Sequence, residues 1–259
     1  MTNFTNDDLY QMLLDRLRKD RKGSVSPEEF ENFLRYRNLD YYNTKTENEG
    51  AVKMNEASLK PFIVNWSHIA VTQDAQSKRY YADLSTITNF GQWRNVWFTT
   101  NLPNPTRPDL TGMTYVDIVT EAELPDRLSN SITGPDNSYP VGHFSVDRLD
   151  IHGLATVGYA IVSYYRLPTN PYYDYYTDAS GNITYLKESQ PAYTLAVGEI
   201  ARDGTTAGGA VTSESFDLEW GDYDAINILD MIVSDVSIAL SDSDSFQASM
   251  LERQQNVTT

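Results

Sequence analysis

The most informative part of the sequence consists of two neighbouring stretches, Ser215-Phe-Asp-Leu-Glu-Trp220 and Asp224-Ala-Ile-Asn-Ile-Leu-Asp-Met-Ile-Val-Ser-Asp-Val-Ser-Ile238. The first predicts a strand over residues 216–220 that pairs with the core. In the second, apolar residues recur every three or four positions among Asp, Asn and Ser, which is typical of an amphipathic helix with one buried stripe. We expect that stripe to consist of Ile226, Leu229, Ile232, Val233 and Val236.

A polar tail follows this helix. It contains Phe246, Met250 and Leu251 at helical spacing but little else that is apolar. Ordering a backbone costs about 1–2 kcal/mol per residue, which so few apolar side chains cannot offset. We therefore expect residues 242–259 to be ordered only against another subunit or another protein.

The beginning of the chain predicts a helical hairpin. Residues 6–20 place leucines on one face, with acidic residues early and basic residues late, as the helix dipole favours. Gly23 ends this helix, and a second one begins with Ser26 as N-cap, Pro27 in the first turn and Glu29 closing a capping box. We expect the hairpin to dock on the β core through Leu9, Leu13, Leu17, Phe30 and Phe33.

Between the helical ends the pattern changes to the two-residue period of strands. The polar residues 41–60 predict a loop, and residues 203–213, which are rich in glycine, predict a flexible connection. The predicted strands are residues 61–71, 77–84, 89–100, 115–120, 140–151 and 156–165, with a short helix over 121–131 and a hairpin loop over 177–184.

These elements predict an α+β fold in which helical ends surround a mixed β core. The expected organisation is an N-terminal helical hairpin over residues 1–40, a β-rich core over 55–220, and a C-terminal amphipathic helix with an interaction tail over 221–259. We find no internal repeat.

Composition excludes several functional classes. The chain has 20 Lys and Arg against 36 Asp and Glu, a formal charge of −16, whereas holding nucleic-acid phosphates requires a basic patch. It has no cysteine, which excludes disulfides, thiolate catalysis and cysteine zinc sites. We expect no transmembrane helix and no signal peptide, and therefore synthesis in a cytoplasm.

Residues 20–30 imitate a calcium-binding loop, with Asp20 and Glu29 at ligand positions. Two other ligand positions would then fall on Arg18 and Lys22, which are cations where Ca²⁺ needs oxygens. The capped helical hairpin explains the same residues, so we predict no metal site.

Catalytic motifs are also missing. The histidines lack the spacing of a zinc hydrolase, and there is no nucleophile elbow, phosphate-binding loop or dinucleotide fingerprint. Glu121/Glu123 and Glu219/Asp222 could be written as glycosidase pairs, but any acidic chain offers such pairs. We therefore predict no catalytic residue and no cofactor, and expect that the protein is not an enzyme.

Aromatic residues are the remaining candidates for function, because the chain has 18 Tyr. Consecutive tyrosines on a strand alternate between faces, so one set can join the core while the other meets a partner or a sugar. We favour an interface over a carbohydrate platform. The candidate interface residues are Tyr164, Tyr165, Tyr172, Tyr173, Trp220, Phe246, Met250 and Leu251.

Several short segments, taken in their order along most of the chain, form a pattern that can be compared with known families. They are Leu9-Tyr10, Lys22-Gly-Ser-Val-Ser-Pro-Glu-Glu-Phe30, Val116-Asp-Ile-Val-Thr-Glu-Ala-Glu-Leu124, Arg127-Leu-Ser-Asn-Ser-Ile132, Tyr139-Pro140, Tyr164-Tyr-Arg-Leu-Pro168, Pro171-Tyr172 and Phe216-Asp-Leu-Glu-Trp220. In this order they resemble a family of virion proteins from crAss-like tailed phages that form rings between the portal and the tail. The chain departs from the family at residues 237–242, where a Gly-rich turn is usual.

This resemblance implies a virion structural protein, a subunit of a head-to-tail connector or tail ring. It implies a homo-oligomer of twelve copies that contacts the portal protein or neighbouring tail ring proteins, assembles in the host cytoplasm, and lets DNA pass through its lumen without specific binding. The alternative is a virion-associated carbohydrate-binding or host-recognition protein, which the Tyr and Trp content favours.

Overall fold

A computed structural model describes residues 4–19, 25–47, 57–101, 112–130, 132 and 134–256. For residues 19 and 240–256 it describes the backbone alone. Helices and a large mixed sheet are both present, so the predicted α+β class is confirmed. The chain divides into a smaller-sheet unit, Met1–Pro61 with Pro168–Thr259, and a large-sheet unit, Phe62–Leu167. The N-terminal hairpin and the C-terminal helix thus belong to the same unit, because the chain returns to it at Pro168.

The large-sheet unit is built on eight strands and one short helix, α3, at Leu124–Ser129. The strands are β1 Ile63–Gln73, β2 Tyr80–Asp83, β3 Phe90–Thr99, β4 Thr114–Tyr115, β5 Asp117–Ile118, β6 Val141–Phe144, β7 Arg148–His152 and β8 Gly158–Arg166. Their order in the sheet is β4-β3-β8-β1-β2-β7-β6-β5. The pairs are antiparallel except β5 with β6, which is parallel.

Two strand predictions need correction. The single strand predicted over residues 115–120 is two short strands, because Val116 turns its N–H to the carbonyl of Val96 between them. The strand predicted over 140–151 is the hairpin of β6 and β7, which turns where the Ser145 N–H donates to the carbonyl of Arg148. The predicted pairing of the first two strands is confirmed, with Val71 opposite Ala82.

One face of this sheet forms the core of the large-sheet unit. The register places Ile69 beside Ala160 on β8, and Val96 beside Val162. Successive residues of a strand point to opposite faces, so these side chains share one face. The buried cluster consists of Ile69, Val71, Ala82, Val96, Phe98, Val116, Leu149, Ile151, Leu154, Ala160, Val162 and Tyr164.

The smaller-sheet unit contains α1 Asn6–Lys19, α2 Pro27–Thr46 and α4 Asp222–Asn256. The capping box that opens α2 is confirmed: the Glu29 N–H donates to Ser26 Oγ at 3.2 Å, and the Ser26 N–H donates to Glu29 Oε2 at 2.9 Å. The loop predicted over residues 41–60 is wrong at its start, since α2 continues to Thr46. Tyr41 and Tyr42 are buried there, which stabilises the extra turn. Gly23 lies outside the described residues.

The end of the chain also differs from the prediction. Residues 216–220 form no strand beyond a single bridge between Phe216 and Tyr172. Asp217 and Glu219 use their carboxylates instead, accepting hydrogen bonds from the N–H groups of Asn6 and Thr169. The helix itself, α4, contacts both α1 and α2. Its buried stripe is Ala225, Ile228, Leu229, Ile232 and Val236, whereas the predicted Ile226 and Val233 are only partly buried.

Two small sheets complete this unit. One joins β9 Tyr175–Thr177, β10 Ile183–Tyr185 and β12 Ile200–Ala201, and the other joins β11 Tyr193–Thr194 and β13 Ala210–Val211. The predicted hairpin loop between β9 and β10 is confirmed, with Gly181 at a φ of +85° that favours glycine. A 3₁₀ turn, Lys60–Phe62, precedes β1.

Candidate assembly surface

Tyrosine hydroxyls bonded to carboxylates connect the elements of the smaller-sheet unit. Tyr173 donates to Asp7 Oδ1 of α1 at 2.8 Å, and Tyr175 donates to Glu28 of α2. The ring of Tyr173 also packs edge-on against Phe30, with the centroids 6.2 Å apart. The predicted hairpin residues Leu9, Leu13, Leu17 and Phe30 are all fully buried, and the hairpin thus packs on the chain around β9 and on α4.

Two more pairs of the same kind involve the C-terminal part of the chain. Tyr41 of α2 donates to Asp224 Oδ1 in the first turn of α4 at 2.7 Å. Tyr185 of β10 donates to Asp217 Oδ1 at 2.9 Å. These bonds hold the start of α4 against α2, and the segment before it against β10.

Burial and these bonds raise the pKa of the tyrosines. Burial is the larger cause for Tyr41, Tyr173, Tyr175 and Tyr185, because it disfavours the phenolate. A nearby carboxylate adds to the effect. For Tyr175 the two causes raise the pKa to about 12, from an ordinary value of 10.0.

We therefore expect the free energy of unfolding to fall as the pH rises above 10. Below that pH both states keep their phenol protons. Above it the unfolded tyrosines lose protons that the folded ones retain, so the unfolded state is favoured increasingly until the folded pKa is reached. Urea unfolding between pH 8 and 11.5, followed by circular dichroism, measures the slope. Tyr175→Phe should make the slope shallower. An unchanged slope in that variant would show that Tyr175 does not contribute to the loss of stability at high pH.

A buried carboxylate lies at the centre of the same unit. Glu31 is 2 % exposed and accepts hydrogen bonds from the guanidinium of Arg202 and from the Tyr173 N–H, the latter at 3.0 Å. Arg35 lies 2.8 Å from its other oxygen. The Arg202 guanidinium also stacks over the ring of Tyr172, 4.5 Å from its centroid. The charge of Glu31 is thus fully compensated.

Trp220 joins α2 to the segment that precedes α4. It is 1 % exposed, and its indole N–H donates to Asn38 Oδ1 at 2.7 Å. The ring of Tyr41 packs against it edge-on, 5.0 Å away. Asn38 in turn donates to the carbonyl of Thr169 at 3.1 Å.

The structure places most of the predicted interface residues inside the chain. The side chains of Tyr164, Tyr165, Tyr173 and Trp220 are at most 6 % exposed, and Tyr172 is half-buried beneath Arg35 and Arg202. The side chains of Phe246, Met250 and Leu251 lie outside the described part, although the backbone around them is helical.

A groove between α2 and α4 presents different apolar residues. It has a volume of about 670 Å³ and is lined by Glu29, Asn32, Phe33, Tyr36, Arg37 and Asp235. Tyr36 is 63 % exposed and Phe33 is partly exposed, although Phe33 was expected to be buried. The groove was not predicted from the sequence, where its signal is the pair Phe33 and Tyr36, three residues apart on one helix face.

The length of α4 is the second unusual feature. Its 35 residues span about 52 Å, whereas the 20 residues of α2 span about 30 Å. Neither helix of the N-terminal hairpin can therefore accompany α4 along its whole length. The last buried position described on α4 is Val236, and the helix continues to Asn256. The structure thus supplies a helix end and a groove on one chain.

The carboxylates considered as metal ligands or glycosidase pairs have other partners or no grouping in the described part of the chain. Among those residues no group of three or more His, Asp or Glu could hold a metal ion. The Glu123 carboxylate accepts hydrogen bonds from Thr120, and Glu219 accepts one from Thr169. No helix among the described residues is both long and apolar enough to cross a membrane.

No protein-family model matches the chain, and no curated protein matches it.

Proposed function

We propose that this protein is a virion structural protein, a non-enzymatic subunit of a homo-oligomeric ring in the head-to-tail connector or tail of a tailed phage. The ordered segments that resemble crAss-like phage ring proteins support the proposal. The observation that carries it is the overlong helix α4 beside an exposed apolar groove. The end of this helix and the groove are the two surfaces through which neighbouring subunits would associate.

The geometry favours association between different surfaces of neighbouring copies. The groove includes Asp235 of α4 itself, and a continuous helix cannot return its own end to that point. The helix end of one copy therefore meets the groove of another. Such head-to-tail contacts generate a closed ring when the rotation between copies closes. In a ring of twelve copies, each with a formal charge of −16, acidic walls would keep passing DNA from adhering.

We expect deletion of residues 242–259 to leave the fold intact and to abolish ring formation. The deleted part carries Phe246, Met250 and Leu251, the large apolar residues near the end of the helix. Native mass spectrometry of the full and truncated chains measures assembly, and circular dichroism measures the fold. Rings formed equally by both chains would refute the role of the helix end, and a full chain that stays monomeric would refute the ring.

A mixing experiment separates the two surfaces. The groove variant Tyr36→Asp changes an exposed residue, so its fold should be preserved. We expect it to be monomeric alone, as is the truncated chain. Mixed together, the two should form one-to-one pairs, because the variant still supplies a helix end and the truncated chain still supplies a groove. Tyr139→Ala, at a residue that is 74 % exposed in the large-sheet unit, is the matched control and should assemble normally.

A further inference from the structure

The large-sheet unit carries a cleft lined mainly by residues that alternate with the core residues of β1 and β2. The cleft has a volume of about 460 Å³, within the range of roughly 300–1,000 Å³ that small-molecule sites occupy. It is lined by His68, Ile69, Ala70, Thr72, Tyr81, Asp83 and Thr86. None of these residues lines the groove at Tyr36 or belongs to α4.

Strand register explains why these side chains converge. Ile69 and Val71 of β1 and Ala82 of β2 point into the core, so the residues that alternate with them point the other way. Thr72 lies directly opposite Tyr81 across the two strands. On the other side of β1, Ala70 lies opposite Tyr159 of β8. A small alanine with tyrosines on the strands to either side leaves a depression in the sheet face.

The ring of Tyr81 is held in place from one side. Arg148 of β7 lies over it, 5.6 Å from its centroid. Tyr81 also lines the cleft, and its strand β2 lies between β1 and β7 in the sheet. An aromatic ring fixed in this way offers a flat apolar surface without losing further side-chain entropy when a ligand binds.

The rim of the cleft is polar. Asp83 is exposed and accepts a hydrogen bond from the Ser85 N–H at 2.9 Å through Oδ1. Hydrogen bonds from Ser85 lower the pKa of Asp83, which keeps the carboxylate ionised and able to accept hydrogen bonds. Thr72 and Thr86 add hydroxyls, and the exposed His68 adds an imidazole.

These groups select the class of ligand. Among the described residues no Lys or Arg lines the cleft, and the chain as a whole is acidic, which disfavours an anionic ligand. A wholly apolar ligand would remove water from Asp83 and His68 without replacing its hydrogen bonds. A sugar ring satisfies both surfaces, because its C–H face can stack on Tyr81 while adjacent hydroxyls donate to the carboxylate. We propose that this cleft binds a neutral saccharide unit.

The proposal is tested with the full chain and an array of neutral hexasaccharides, namely β-glucan, α-mannan, xylan and galactan fragments, with a heparin hexasaccharide as the anionic comparison. We expect at least one neutral hexasaccharide to bind, and saturation-transfer NMR to show its ring protons in contact with tyrosine. Tyr81→Ala and Asp83→Asn should each weaken that binding by at least about tenfold. Tyr139→Ala should not change it.

Two controls distinguish a lost contact with the saccharide from a loss of fold. Tyr81→Phe retains the ring and should bind nearly as well as the unaltered chain, which separates stacking from any loss of fold. Thermal unfolding checks each variant. Three results would each overturn the proposal: binding of none of the neutral hexasaccharides, binding of the heparin fragment alone, or binding by Asp83→Asn and Tyr81→Ala that is as strong as binding by the unaltered chain. None of these outcomes bears on the proposed ring, which depends on the groove at Tyr36 and the end of α4.

Discussion

Replacing Trp220 by alanine is expected to lower the free energy of unfolding by about 3–5 kcal/mol. The indole is almost fully buried and packs against Tyr41, so its removal leaves a cavity between α2 and the segment before α4. It also removes the donor to Asn38 Oδ1. A buried acceptor without a partner adds a cost of its own, about 1–3 kcal/mol, where water does not enter the cavity. Urea unfolding followed by far-ultraviolet circular dichroism measures the change.

Trp220→Phe is the matched control for this effect. Phenylalanine keeps an aromatic ring against Tyr41 but cannot donate to Asn38. We expect it to lose less stability than the alanine variant, with the remaining loss reporting the missing hydrogen bond and the smaller ring. A change of less than about 1 kcal/mol in Trp220→Ala would show that Trp220 is not buried in the folded protein.

Replacing Glu31 by alanine is expected to cost a similar amount, about 3–5 kcal/mol. The reason is electrostatic as well as steric. Without the carboxylate, the guanidinium of Arg202 keeps a position that is largely buried but loses its counter-charge, and the Tyr173 N–H loses its acceptor. Removing one partner of a buried pair is costly because the other charge stays desolvated.

Glu31→Gln separates the two causes, since glutamine can still accept a hydrogen bond from the Tyr173 N–H while the charge is gone. We expect an intermediate loss of stability. Glu121→Ala, at an exposed carboxylate of the large-sheet unit, should change the free energy of unfolding by less than about 0.5 kcal/mol. If Glu31→Ala changed the free energy of unfolding as little as Glu121→Ala, the guanidinium of Arg202 would be hydrated or bonded to another acceptor when Glu31 is absent.

Helix periodicity located α4 but misassigned part of its buried stripe. Ile226 and Val233 fit the apolar pattern, yet they are only partly buried, while Ile228 and Ala225 are buried instead. An apolar pattern that covers most of the helix circumference does not specify which side meets a neighbour. The contacts with α1 and α2 make that choice.

The same limit applies to the candidate sites. Tyrosine spacing suggested an interface at Tyr164, Tyr165 and Tyr173, whose rings are buried within the chain. The exposed groove at Tyr36 and the cleft at Tyr81 lie elsewhere. A tyrosine side chain is found both in protein cores and on protein surfaces, because it has an apolar ring and a polar hydroxyl. The number and spacing of tyrosines therefore do not locate a binding surface.

Features that depend on residues close together in the chain could be predicted from the amino-acid sequence. The capping box of Ser26 and Glu29 and the β-hairpin at Gly181 are formed by groups within a few positions of one another, and their local chemistry has one favourable arrangement. The pairing of Glu31 with Arg202, of Trp220 with Asn38, and of Tyr41 with Asp224 became visible only in the folded chain. Each of these joins residues more than a hundred positions apart, in a chain with 36 carboxylates and 18 tyrosines, so their choice depends on which elements pack together.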